Sequence, residues 1–423
     1  MSAPAPSGGP TTVRGRLPGP ADTPTRLRLL AGVLVVVAVL AGLLAAQASW
    51  SASASLGRAA DAADQLTRVQ GVQNGLLQAD ADATNAFLIG GLEPPEQRVR
   101  YETAMGDAAQ GVAQAARAQP ADAEVLAALN ATVMTYTGAV ERARATNRQG
   151  LPVGAQYLRV ASGDLRADAI PLLQALQEAG QSRAEAELDS ARTAWLPAAA
   201  AVLVSLLVSV VASVWLARRT RRVLNLPVVV GGGVLLAVLV AATVALVVAA
   251  GTAERVWAGS YAAERALSDA RVAAFDAKSN ESLTLVSRGS GAAFEEAWQV
   301  SATTVGDRLD AAAPLVADGA DLVAGWQDYT ARHEEVRALD DGGGWEAAVD
   351  LATTTEAEGT NAAFTAFDVA SAGVLTSVGA ETRTALDGAR GSLVLLGGLC
   401  LGAGVVAAVL GWRGVARRLE EYR

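Results

Sequence analysis

Four uncharged apolar stretches punctuate the chain, at residues 29–46, 195–216, 226–251 and 392–412. A helix crosses a hydrocarbon core of about 30 Å in roughly 20 residues, so each stretch predicts a transmembrane helix. Two polar segments of nearly equal length, 47–194 and 252–391, lie between the outer pairs of spans, and a short loop, 217–225, joins the middle two. The unit of span, polar segment and span occurs twice. A period near 200 residues reads as a domain duplication, not as a solenoid.

Within the first polar segment the apolar positions step by three and four, at Leu66, Val69, Val72, Leu76, Ala79, Ala83 and Phe87. That spacing lays one apolar stripe along a helix. Breakers fall at 90–95, at Pro120 and at 149–152, which divides the segment into four helices. The second segment follows the same plan, with breakers at 288–291, 314–319 and 340–344. In both, the first turn comes about 40 residues past the span, a helix of about 60 Å. The expected fold class is therefore all-α. Four transmembrane helices continue into two antiparallel four-helix bundles, each with the amphipathic helices to fold alone. Helix four of the first bundle carries Pro171 as its expected bend.

Charge sets the expected orientation. Outside the two polar segments stand twelve basic residues against three acids, and the basic ones cluster before the first span, in the central loop and after the last span. Lys and Arg at span ends mark the cytoplasmic face. Both termini and the loop are thus expected inside, in the cell membrane, and both polar segments outside, with net charges of −5 and −13. Residues 1–28, rich in Pro, Gly, Ser and Thr, read as a disordered cytoplasmic tail, and 413–423 as a short cytoplasmic end. The basic start and Ala46-Gln47-Ala48 also fit the outline of a signal peptide. Its apolar run of 18 residues exceeds the usual core of about 7–15, so a retained first span is expected.

Composition removes several kinds of chemistry. Cys400 is the only cysteine and lies in the fourth span, and His333 is the only histidine. Neither an intramolecular disulfide nor a His/Cys zinc site can be built from these residues. No nucleophile elbow accompanies His333. Gly231-Gly232-Gly233 has no following Lys-Ser or Lys-Thr and is no phosphate loop, and Asp340-Asp341-Gly342 lacks the later ligands of a calcium loop and reads as a turn. The spans carry no Asp, Glu, Lys, Arg or His, which argues against a transporter or channel. Gly398 and Gly402, like Ala38 and Gly42, have the spacing of close helix packing, expected within the four-span bundle, with a homodimer as the other use. No catalytic residue, metal ligand or cofactor is expected, and no nucleic-acid partner.

Two polar clusters mark the first helix of each bundle. One comprises Asp80, Asp82 and Asn85, followed past the turn by Arg98, Arg100 and Tyr101. The other comprises Asp276, Lys278, Asn280 and Glu281, followed by Arg288. Arginines near a hairpin apex suit bidentate carboxylate recognition, so these eleven are the candidate ligand or partner contacts, with solvated helix faces as the alternative. The larger acidic charge of the second segment would steer a basic partner surface towards Asp276–Ser282 and the turn after it.

Several runs carry a family resemblance: Asp-Ala-Asp-Ala-Thr-Asn-Ala-Phe-Leu at 80–88, Gly-Gly-Leu-Glu-Pro-Pro-Glu-Gln-Arg-Val-Arg-Tyr at 90–101, and Asn-Glu-Ser-Leu-Thr-Leu-Val-Ser-Arg-Gly at 280–289. With the span pattern, they resemble the actinobacterial four-span membrane proteins called GlnX. The resemblance implies a non-enzymatic coupler that passes the state of an extracytoplasmic glutamate/glutamine-binding lipoprotein to a cytoplasmic Ser/Thr protein kinase, protein kinase G. The bundles are also similar to the sensor domains of bacterial chemoreceptors, though the chain has no cytoplasmic signalling rod. Two other readings stand beside the coupler, a direct small-molecule sensor and a structural scaffold of the envelope.

Overall fold

The computed structural model describes residues 23–89, 93–220 and 225–420. The expected tail up to residue 22 lies outside them, as do residues 90–92 of the first hairpin, 221–224 of the basic loop and 421–423. Among the described residues every regular element is helical. The long helices are α1 (Thr23–Ile89), α2 (Pro95–Ala118), α3 (Ala123–Arg148), α4 (Val153–Asp164), α5 (Ile170–Thr193), α6 (Trp195–Thr220) and α7 (Leu226–Val256). They continue with α8 (Ala262–Val286), α9 (Ala292–Ala312), α10 (Gly319–Asp341), the short α11 (Trp345–Thr353) and α12 (Thr360–Glu420). Helix α1 begins inside the segment expected to be a disordered tail.

Contacts divide the chain into two compact units. An apolar unit holds Met1–Trp50, Ala194–Leu246 and Leu393–Arg423, and a polar unit holds Ser51–Thr193 and Val247–Ser392. The four helical stretches long and apolar enough to cross a membrane make this a multi-pass membrane protein. The interior of the apolar unit is small-residue packing, with Ala38, Ala41, Ala45, Ala201, Ala242, Cys400 and Ala403 around Leu235 and Leu239. Large side chains such as Leu203 and Leu395 point outward, where lipid replaces water as the solvent. Helices α1 and α12 cross at Gly42 and Gly404: a Cβ on Gly42 would lie 2.8 Å from the Cys400 carbonyl oxygen, and one on Gly404 2.9 Å from that of Ala38. Ala38 and Gly42 pack within the bundle as their spacing predicts, whereas Gly398 and Gly402 do not. Gly398 and Gly402 face open space, two positions away from the packed pair Cys400 and Gly404, because a helix turns about 100° per residue.

In the polar unit the predicted stripe is buried as expected. Val69, Val72, Leu76, Ala79 and Ala83 pack with Tyr101, Ala108, Leu129, Tyr136, Leu158 and Leu173 in the first half's core. A second core gathers Leu267, Phe275, Trp298, Leu309, Trp326, Tyr329 and Phe367 of the second half, and it also takes in Leu77 and Ala81 of α1. Helix α1 is thus buried on two faces, which is why its polar part is enclosed nearly all round. The two polar segments do not stand apart as separate bodies. The first half supplies part of the second half's core.

The seam joins equivalent helices. Thr67 donates to Glu264 at 2.7 Å and Ser279 to Asp80 at 2.7 Å, residue separations of 197 and 199 that match the repeat length. Both pairs rise together along α1 and α8, so the two first helices of the duplication lie side by side and parallel. Between α4 and α5, residues Leu165–Ala169 form a single π turn, separated by one residue from Pro171. The proline ring has no N–H for the carbonyl four residues back and crowds it, and a widened turn relieves both demands. A second π turn, Trp257–Tyr261, separates α7 from α8, its two rings stacked at 4.0 Å.

Candidate functional site

The π turn places Arg166 at the seam. Its Nη1 donates to Asp80 at 2.9 Å and its Nε to Asp276 at 2.7 Å, so one guanidinium joins the first helices of both halves. Asp80 is fully buried and saturated with donors: Tyr136 Oη at 3.1 Å, Ser162 Oγ at 2.6 Å to its Oδ1, and Ser279 Oγ at 2.7 Å. Asp276 also accepts from Ser301 at 2.7 Å and Asn280 at 3.2 Å. Burial alone would lower the pKa of Arg166, but the two carboxylates raise it, and the side chain stays charged. Only with this many donors is a buried carboxylate tolerable.

A second buried cluster lies within the second half. Lys278 Nζ meets Glu281 Oε1 at 2.5 Å and donates to Thr360 at 2.9 Å. The other oxygen of Glu281 faces His333 Nδ1 at 2.9 Å, and His333 Nε2 faces Glu295 at 3.2 Å. The imidazole is stacked on Trp298 at 3.6 Å. Burial would lower the pKa of His333, yet the hydrogen bonds to two carboxylates raise it. For Glu281, burial would raise the pKa, and Lys278 and His333 outweigh it, bringing it to about 2. Protons on both ring nitrogens satisfy both glutamates at once.

These clusters change the reading of the candidate contacts. Asp80, Asn85, Tyr101, Lys278, Asn280 and Glu281 are buried. Asn85 accepts from Gln97 at 2.9 Å and exchanges hydrogen bonds with Asn361 of α12 at 3.1 and 3.2 Å, a further tie between the halves. Tyr101 lies under the Arg144 guanidinium, 4.0 Å from its ring centre. Asp82 pairs with Arg100 at 3.0 Å, and burial, opposed by that arginine, pushes its pKa up to about 6. Arg98 joins Glu93, Glu102 and Glu141. Arg288 remains at the surface, its guanidinium over Trp345. Solvated helix faces do not describe the two clusters. Nor do Asp276 and Glu281 fit the charge-steering role: both are consumed by internal partners, so neutralising them would disturb the seam and the second half's interior before it changed an encounter rate.

Sequence reasoning missed Arg166, Ser162, Tyr136, Glu295 and Thr360. Arg166 lies five residues before the flagged Pro171, and that proximity was the available signal. His333 and Lys278 are the chain's single histidine and single lysine, and both mark the second cluster.

Residues 55–189 match the family described as the actinobacterial sensor domain. The match contains Asp80, Tyr136, Ser162 and Arg166, so the segment similar to that family supplies the first half's seam residues. No curated protein and no solved structure matches the chain.

Proposed function

We propose that the protein is a non-enzymatic signalling coupler whose polar unit faces outward and whose spans carry its state inward. The observation behind this reading is helical continuity. Helices α1 and α12 run 67 and 61 residues without a break, and each contributes residues to both units. A rotation or shift at the seam would therefore be inherited by residues of the spans, since a helix resists bending and stretching far more than side chains resist repacking. The sensor-domain match supports a receiving role for the polar unit. The resemblance to GlnX supplies the partners: a solute-binding lipoprotein that reports an amino acid outside, and a soluble Ser/Thr kinase inside.

Deletion of the chain is the test. In cells lacking it, phosphorylation of the kinase's substrates should stop responding to added glutamate, and re-expression should restore the response. An unchanged response in the deletion strain overturns the coupler. A direct small-molecule sensor is the second reading, and an open groove at the apex of the seam, described below, favours it.

Orientation follows from the basic residues at the span ends. In an otherwise cysteine-free background, Asp107→Cys and Asp341→Cys should react with an impermeant thiol reagent in intact cells, and Thr220→Cys should not. Both acidic positions are exposed, whereas Ser162, a more central choice, is buried against Asp80. Labelling at position 220 from outside would reverse the assignment.

A further inference from the structure

Where the helix ends of both halves converge, the polar unit holds an open groove of about 770 Å³. Phe87 and Ile89 close α1 on one side, Leu151 follows α3, and Trp345 opens α11 opposite. Two arginines, Arg159 and Arg288, complete the lining. Among the described residues no Asp or Glu lines it, in a chain with 43 acidic residues.

Arg288 is held ready and unspent. It is the non-glycine residue with positive φ among those described, at +36°, a backbone region disfavoured for any residue with a Cβ. Its guanidinium lies 3.9 Å from the centre of the Trp345 ring, and that indole is itself fixed by donating to the Leu285 carbonyl at 2.9 Å. No carboxylate pairs with Arg288 among the described residues. Of the acids lining the adjoining cavity, Glu295, Asp340 and Asp341 are taken up by Arg337, and Glu296 is exposed. Arg159 comes from the other half, braced by Gln156 at 2.6 Å and reaching Ser287 at 3.5 Å. Stacking on an aromatic face leaves the edge of a guanidinium free for bidentate contact.

We propose that this groove binds a small monocarboxylate with an apolar body. The carboxylate meets Arg288 and Arg159, and the apolar part lies against Phe87, Ile89, Leu151 and Trp345. A free α-amino acid is disfavoured, because no carboxylate in the groove receives its ammonium group. Since each arginine belongs to a different half, an occupied groove ties the halves together at the apex. The inference rests on the reading of the polar unit as a receiving domain, but its test is independent of any partner or kinase.

The full-length protein in zwitterionic lipid nanodiscs is titrated calorimetrically with N-acetyl-leucine and with 4-phenylbutyrate. At least one should bind saturably, and N-acetyl-leucinamide, which differs from the first by lacking the charge, should bind at least tenfold more weakly or not at all. Arg288→Gly is the decisive variant. Glycine accepts the positive φ, so its thermal melt should stay with wild type while carboxylate affinity falls at least tenfold. Arg159→Gln should weaken binding in the same direction. The proposal is overturned if neither acid binds, if the amide binds as tightly as the acid, or if Arg288→Gly retains wild-type affinity. Failure here leaves the coupler standing, because that reading is decided by the deletion experiment.

Discussion

Arg166→Ala is expected to destabilise the polar unit by about 3 kcal/mol or more, the usual cost of removing one partner of a buried ion pair. The reason lies in what stays behind. Asp80 has no solvent exposure and cannot move to water, because it is packed between Tyr136, Ser162 and Ser279. Asp276 loses its charge partner at the same moment. Two carboxylates then face one another across a parallel helix pair with only hydroxyl and amide donors between them.

The size of the effect separates charge from packing. Arg166→Met keeps much of the side-chain volume, so it should destabilise nearly as much as the alanine variant if stranded charge is the cause. Adding Asp80→Asn and Asp276→Asn to Arg166→Met should then recover most of the loss, since a network replaced as a whole can be close to neutral. Urea unfolding of the full chain in detergent, followed by tryptophan fluorescence, measures all four proteins. If the triple variant is no more stable than Arg166→Met, the seam is held by shape and the ion network is incidental.

The sequence made the helices and spans legible because both rest on short-range periodicity. The stripe from Val69 to Ala83 is a core face, and the apolar runs lie in helices fit to cross a bilayer. What it concealed is the second face of α1. Leu77 and Ala81 fall off the stripe and enter the other half's core, a partnership nearly 200 residues away that no local window contains. The same distance hid the seam. Asp80, Lys278 and Glu281 look like surface charges in a polar run; Asp80 becomes interior where α1 and α8 lie side by side, and Lys278 and Glu281 do so against α10 and α12. Arg288 was legible as an apex arginine, whereas its stacking on Trp345 depends on α11, a short helix masked by the Gly342–Gly344 turn before it. The π turn at Leu165–Ala169 was foreshadowed by Pro171, but its consequence, an arginine aimed at both halves, was not.

The second cluster predicts a pH window. His333 has a raised pKa, so its ion pairing contributes fully below the ordinary imidazole value of about 6.5 and is lost as pH rises through the folded-state value. Glu281 has the opposite sign. Its pKa is brought from 4.5 to about 2, so its contribution is present above about 4.5 and fades as pH falls towards 2. Glu295, with its pKa also lowered, works in the same sense as Glu281. The groups facing the imidazole are Glu281 of α8, Glu295 and Trp298 of α9; beyond them Lys278 and Thr360 hold Glu281, and Arg337 holds Glu295. His333→Gln removes the cation and leaves both glutamates. It should cost about 2–4 kcal/mol between pH 4.5 and 6.5, and the gap to wild type should narrow on either side: above the window as wild-type His333 loses its proton, below it as the glutamates gain theirs. Thermal melts of both proteins at pH 3, 5.5, 7 and 9 give the profile. A gap that stays constant from pH 5.5 to 9 would mean that His333 is already neutral at the lower pH. The imidazole would then be a stacked core ring hydrogen-bonded to one glutamate only, not a buried cation between two.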